Sequence, residues 1–285
     1  MSKIKVSELF YSIQGEGRYM GVPSIFLRTF GCNFTCDGFG MPPGGKSTER
    51  VQIALLDEEK PFKNYKDLPL ASTGCDSYAS WDPNFKHLSP LFNVEDLASN
   101  IVKLLPHKRW HDEHLVITGG EPLLGWQRSY PELLDQDSMI ALRHLTFETN
   151  GTQKLSKEFK QYLINWSDRL CKQREVTFSV SAKLPVSGEK WEEAILPEVV
   201  CDYEKVGYTY LKFVIASEED LLDAKQAVKE YREHGFKGPV YIMPVGGVES
   251  IYSMNNRNVA LLAMKHGLRY SDRLQVPLFK NQWGT

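Results

Sequence analysis

Ser24-Ile-Phe-Leu-Arg-Thr-Phe-Gly-Cys32-Asn-Phe-Thr-Cys36 reads as an apolar β-strand that breaks at a glycine and then presents two thiols in C-x-x-x-C spacing. Its counterpart is Thr118-Gly-Gly-Glu-Pro122, which follows the apolar run beginning at His114. Thiolates on a short loop are metal ligands, and such a loop can wrap three irons of a cubane iron–sulfur cluster whose fourth iron stays open for a further ligand. Taken alone, C-x-x-x-C fits structural zinc or ordinary buried thiols as well. Gly119-Gly120 is either a simple turn after a strand or a place where backbone has to approach a ligand closely, which only residues without side chains permit.

Outward from these two stretches, short β-rich runs alternate with helical patterns, the signature of a parallel sheet covered by helices. The pattern predicts strands over 24–30, 114–118, 144–149, 176–181, 210–215, 240–244 and 274–278. Asn93-Val-Glu-Asp96 opens a helix with a side-chain cap and early acids, and Leu97, Ile101 and Leu104/Leu105 recur at helical spacing. Ser217-Glu-Glu-Asp220 opens another that runs to Gly235, where glycine can take the left-handed terminal conformation. Cys32 follows the first predicted strand, Gly119 the second, Asn150 the third and Lys183 the fourth. Parallel α/β folds bind their ligands at those carboxyl ends. The long exception is segment 37–74. With Pro42-Pro-Gly-Gly-Lys46 and Asp57-Glu-Glu-Lys60 it reads as an excursion of loop character, ordered in part by a bound cluster or by a partner.

Bulk properties bound the function. The 285 residues are 42% hydrophobic and 25% charged, ordinary for a globular chain with one sizeable core, and a single domain over 1–285 is expected. A formal net charge of -2 makes no electrostatic case for nucleic acid or an anionic membrane, so the expected partner is a small molecule. No apolar run reaches transmembrane length, and Met1-Ser-Lys-Ile-Lys5 lacks the apolar segment of a signal peptide. Five unevenly spaced cysteines argue against a disulfide framework and for a reducing, cytoplasmic compartment. Cys171 and Cys201 have no motif around them and are read as bystanders.

The motifs together resemble those of radical S-adenosylmethionine (SAM) enzymes, whose Gly-Gly-Glu-Pro element holds the amino group of SAM. Within that superfamily they are similar to the 7-carboxy-7-deazaguanine synthases, the QueE family. The resemblance rests on Gln14-Gly-Glu-Gly17, Gly21-Val-Pro-Ser-Ile-Phe-Leu-Arg28, the cysteine loop, Cys75-Asp-Ser77-Tyr-Ala-Ser-Trp81, Thr118 to Pro122, Glu148-Thr-Asn-Gly-Thr152, Ser179-Val-Ser-Ala-Lys183 and Leu211-Lys-Phe-Val-Ile215. These fall in the family's order and span most of the chain. One departure is conspicuous: the family's third cluster cysteine would stand at position 39, where this chain has Phe39. Residues 37–74 are then an insertion in the cluster loop, and Cys75 returns to complete the ligand set. A second departure is Ala182, where the family's Ser-Pro-Lys has proline.

The resemblance implies an incomplete, TIM-like β/α barrel of about six strand–helix units. It implies a carbon–nitrogen lyase that converts 6-carboxy-5,6,7,8-tetrahydropterin to 7-carboxy-7-deazaguanine and ammonia by radical ring contraction, in deazapurine and queuosine biosynthesis. The implied cofactors are a 4Fe–4S cluster on Cys32, Cys36 and Cys75, SAM, and Mg²⁺ at Ser77. Flavodoxin or ferredoxin would be the electron donor, and a homodimer the assembly. SAM contacts fall on Asp76, Gly119, Gly120, Glu121, Glu148, Ser181, Lys183 and Met243, the last in a segment only loosely similar to the family's. Substrate contacts fall on Ile13, Gln14, Gly15, Glu16, Arg28 and Thr118. Their chemistry suits a carboxylated pterin: Arg28 offers a planar fork for a carboxylate, and Glu16 can accept from a guanidine-like edge. An arginine inside an apolar strand also needs a partner whatever its function. The terminal run 278–285 with Trp283 either closes over substrate or anchors an interface or core. Two other classes compete: a radical SAM activase that places a glycyl radical on a protein, and a metal-binding module without catalysis.

Overall fold

The structure, a computed structural model, describes residues 2–285, the side chains at 171 and 172 excepted, so the reading of Cys171 lies outside the described residues. One sheet contains β1 (Lys3–Ile13), β2 (Pro23–Thr29), β3 (Leu91–Asn93), β4 (His114–Gly119), β5 (His144–Thr149), β6 (Glu175–Val180), β7 (Tyr208–Ile215), β8 (Val240–Pro244) and β9 (Arg269–Tyr270). Their order is β3-β1-β2-β4-β5-β6-β7-β8-β9. β1 is antiparallel to β2 and β3, and every neighbouring pair from β2–β4 onward is parallel. The result is a mixed α/β protein whose sheet has two edges.

The strands predicted over 144–149 and 240–244 match β5 and β8 residue for residue, and β2, β4, β6 and β7 differ at their ends by no more than two residues. The last predicted strand is corrected. Residues 274–278 enter a short helix, Gln275–Phe279, because Pro277 has no N–H for a ladder and the place beside β8 is taken by β9. β1 escaped the sequence reading: a register shift between Val6 and Glu8 breaks the alternation of Ile4, Val6 and Phe10. The helix after Asn93 exists as Val94–Leu104, but Asn93 makes no side-chain cap bond, since it closes the ladder opposite Lys3. Ser217 behaves as read. It accepts from the Asp220 N–H at 3.1 Å while the Asp220 carboxylate accepts from the Ser217 N–H at 3.0 Å, and Gly235 has φ +97° past the end of Glu218–Glu233.

Strand alternation decides what the sheet offers on each face. Ile25 and Leu27, Leu115 and Ile117, Leu145 and Phe147, Phe178 and Val180, and Leu211 and Phe213 enter one core with apolar residues of the covering helices. The residues between them turn the other way, and Phe26, Arg28, Thr118, Glu148, Lys212 and Met243 line a cavity. Among the described residues no helix is long and apolar enough to cross a membrane.

The segment 37–74 is more ordered than its composition suggests. It carries the helix Glu49–Glu59, and Ile53, Ala54, Tyr65, Leu68 and Ala71 build a second core with Tyr78, Ala79 and Phe85. Trp283 stands edge-on to both Tyr65 and Tyr78 with ring centres 5.6 Å away, so it anchors the chain's end in this core. The apolar spacing of this helix is partly hidden because Val51, Leu55 and Leu56 lie on its exposed side.

Candidate active site

All the predicted site residues except Glu121 line one cavity at the carboxyl ends of β2 and β4 to β8. Cys32 and Cys36 follow β2 on a loop whose sharp path is visible in positive φ at Gly31 (+120°) and Cys36 (+52°). The loop is held from outside. The Glu189 carboxylate accepts the N–H of Thr35 at 2.9 Å and of Cys36 at 2.7 Å, and the Gly31 carbonyl accepts the Glu121 N–H at 2.7 Å. Cys75 comes back to the same wall, where Phe34, Cys36 and Ala194 pack with Cys32, Phe39 and Cys75. Burial pushes the Cys32 thiol up to about 12, and raises Cys36 and Cys75 as well. Bare, these thiols are protonated; a metal group would take them as thiolates and release protons. Among the described residues no three His, Cys, Asp or Glu side chains converge on a single ion. A cubane spaces its cysteinyl sulfurs wider than one ion does, and three thiols on one sheltered wall fit that donor set.

The glycines of the strap are required by close packing against the chain's own backbone at Thr29 and Gly31. Gly119 has φ +150°, and a methyl on it would run into the Thr29 carbonyl oxygen. A methyl on Gly120 would strike the Gly31 carbonyl and come within 2.7 Å of the Cys32 Cβ. Gly120→Ala is therefore expected to cost about 1–3 kcal/mol by overpacking and to displace Cys32. Urea unfolding and iron content after reconstitution measure the two effects separately.

Glu121 lies behind the cavity wall rather than on it. Its carboxylate is fully buried beneath the strap and accepts from Thr149 Oγ1 (2.8 Å), the Asn150 N–H (2.7 Å) and the Leu123 N–H (3.0 Å). Burial pushes it up to about 7 against the pull of those donors. It ties the ends of β4 and β5 together. Ser181 and Lys183 line the cavity, the ammonium donating to Ser181 Oγ at 3.1 Å. Asp76, Ser77, Glu148 and Met243 line it as well.

At the other end, Gln14 donates to Glu148 at 3.1 Å and accepts the Glu16 N–H at 3.0 Å. Arg28 meets its strand neighbour Glu8 across the β1–β2 register, Nε to Oε2 at 2.9 Å. Both Nη groups have no protein acceptor among the described residues and remain for the cavity. Glu16 is committed to the protein. Lys212, Arg273 Nε (3.2 Å) and Gln275 Nε2 (2.8 Å) all donate to it. Burial would raise its pKa, but Lys212 and Arg273 outweigh burial and hold it at about 2. With both oxygens occupied, Glu16 organises the site, and Glu148 is the carboxylate with capacity to spare.

Lys212, Arg273, Gln275 and Trp81 went unnoticed as site residues. For Lys212 a signal existed: a lysine within Leu211-Lys-Phe-Val-Ile215 needs a partner by the argument applied to Arg28. Arg273 and Gln275 carry none: Gln275 falls inside the predicted strand 274–278 and Arg273 just before it, where no motif marks them.

Fold and site together define an α/β enzyme that works on a small molecule in a charged cavity walled by three cysteines. No protein-family model matches the chain. The chain is 29% identical to the 7-carboxy-7-deazaguanine synthase of Halobacterium salinarum, over 98% of its own length and 91% of the relative's. It is 27% identical to the synthase of Rhodopirellula baltica, over 100% and 90%, and 24% identical to that of Pyrobaculum aerophilum, over 99% and 97%. The crystal structure of QueE from Escherichia coli shares the fold, with a TM-score of 0.54 over 95% of this chain and 93% of that one, at 17% identity. Over nearly its whole length the chain is thus similar to proteins named 7-carboxy-7-deazaguanine synthase.

Proposed function

We propose that this protein is a 7-carboxy-7-deazaguanine synthase, a carbon–nitrogen lyase that converts 6-carboxy-5,6,7,8-tetrahydropterin to 7-carboxy-7-deazaguanine and ammonia. One observation carries the reading beyond the relatives' names. Motifs scattered from Gln14 to Met243 face a single cavity, thiols on one wall and a carboxylate-binding set on another. The open sheet is then a partial β/α barrel of the radical SAM type, one unit across 1–285. A 4Fe–4S cluster, SAM and Mg²⁺ would supply one-electron hydrogen-transfer chemistry and a Lewis acid when bound.

The chain's own residues do the rest. Cys32, Cys36 and Cys75 hold the cluster, and Gly119-Gly120 lets SAM lie against bare backbone. Ser181, Lys183 and Asp76 offer polar contacts to SAM, and Ser77 offers a hydroxyl to Mg²⁺. Arg28 receives the substrate carboxylate through its free Nη pair, while Gln14 and Glu148 present an amide and a carboxylate to the pyrimidinone edge. Phe10 and Phe26, stacked with ring centres 5.0 Å apart, give the cavity a flat apolar patch. The chain's end, Asn281 to Thr285, helps exclude water. A flavodoxin or ferredoxin donor and a homodimer complete the proposal. The activase and non-catalytic readings find no support among the relatives.

The test is anaerobic reconstitution with iron and sulfide, then dithionite, SAM, Mg²⁺ and the carboxytetrahydropterin, with product followed by mass. Formation of 7-carboxy-7-deazaguanine supports the reading; SAM cleavage with the pterin untouched overturns it. Arg28→Lys keeps a cation beside Glu8 but loses the fork. A charge-assisted bond of about 1.5–3 kcal/mol converts to a KM for the pterin raised about tenfold or more, with iron content unchanged.

A further inference from the structure

The cysteine motif is split, and something has to bring Cys75 back to Cys36 across the insertion. The first turn of the insertion helix does this with side chains. Arg50 grips Asp37, the residue after Cys36, through Nε at 3.1 Å and Nη2 at 3.4 Å, and reaches Asp82 through Nη1 at 2.7 Å. Asp82 is almost fully buried and follows Trp81, so one guanidinium spans the two flanks of the split motif. The same guanidinium lies 5.0 Å from the centre of the Trp81 ring. Trp81 Nε1–H in turn donates to Cys75 Sγ at 3.3 Å. Neighbouring bonds close the neck: the Ser47 N–H donates to the Asp37 carbonyl, the Gly74 N–H to the Phe39 carbonyl, and Glu49 accepts the Ser72 N–H at 2.6 Å.

We propose that Arg50 and Trp81 are positioning residues for the displaced third ligand: Arg50 clasps the two ends of the insertion, and Trp81 aims and tunes the Cys75 sulfur. The proposal rests on the cluster assigned under Proposed function. A guanidinium suits the task because its rigid fork can satisfy two carboxylates at once while its face covers an aromatic ring; lysine cannot do both. An N–H donated to a ligating sulfur stabilises the more negative, reduced cluster and so raises its potential. The insertion is thereby the device that makes a two-part cysteine motif work as one.

The experiment compares the full chain with Arg50→Gln, Arg50→Lys and Trp81→Phe, all reconstituted anaerobically. Iron and sulfide per chain, cluster loss to a chelator, and the midpoint potential by EPR-monitored titration are measured, with circular dichroism as the fold control. Arg50→Gln should lose its cluster at least about tenfold faster than the parent, the scale seen when the support of a metal ligand is removed, with Arg50→Lys in between. Trp81→Phe should keep its iron but titrate at a more negative potential, a shift that a merely structural role would not produce. Parent-like cluster retention in Arg50→Gln, or an unchanged or higher potential in Trp81→Phe, overturns the inference. If Arg50→Gln does not fold, Arg50→Lys and Trp81→Phe decide. A parent chain that takes up no cluster overturns the functional reading itself, and this inference with it.

Discussion

Cys75→Ala is expected to reduce product formation below detection while leaving the fold nearly intact. Cys75 is the only described cysteine besides Cys32 and Cys36 on the cavity wall, for Cys201 packs against the main core near Tyr231. Without it two thiols remain, too few to hold a cubane with one open iron. The structural cost is small by comparison. The Cys75 sulfur accepts one hydrogen bond from Trp81 and touches Ser77 Oγ at 3.5 Å, so truncation removes about 1 kcal/mol. The variant should thus unfold in urea close to the parent's midpoint, yet bind substoichiometric iron. Product formed at the parental rate by Cys75→Ala would mean that another group completes the ligand set and that the insertion reading is wrong.

The second large effect belongs to Glu16. Glu16→Gln removes a buried charge from between two buried cations, Lys212 and Arg273. Arg273 keeps Asp76 and the Gly246 carbonyl, whereas Lys212 loses its direct ion-pair partner. Breaking such a pair typically costs about 3–5 kcal/mol. The loss should appear as a lower denaturation midpoint at neutral pH. It also predicts a pH signature. The folded-state pKa of Glu16, about 2, lies below its ordinary value of 4.5, so its stabilisation is present in full above the ordinary value and is lost as pH falls through about 2. The stability gap between parent and Glu16→Gln should therefore narrow from about pH 4.5 downward. A gap constant across that range would show that Glu16 is not held by its cations.

These two residues also mark how far reading along the chain reaches. Cys75 was legible because its neighbours are local: Asp76, Ser77 and Trp81 form a pattern within seven residues. Glu16 was legible as a polar residue in a motif, but the donors that occupy it were not, because they come from β7 and from the segment after β9. The parallel strands were legible for a similar reason. Ile25, Leu27, Leu115 and Ile117 alternate with the cavity residues at a period of two, and the turn glycines follow at fixed places. β1 was not, because its bulge shifts the phase of that same alternation.

By itself the chain's order of residues determined which strands exist, which of their faces is apolar, and that cysteines, glycines and asparagines emerge at the strands' carboxyl ends. These follow from backbone periodicity and turn chemistry, which act over a few residues. Tertiary structure alone decided that Glu16 is sealed by Lys212, Arg273 and Gln275, that Glu121 supports the strap from beneath, and that Arg50 spans the split cysteine motif. Charges buried together must find partners wherever the packed chain brings them, and that choice is made by the cost of leaving one unpaired, not by its place in the sequence.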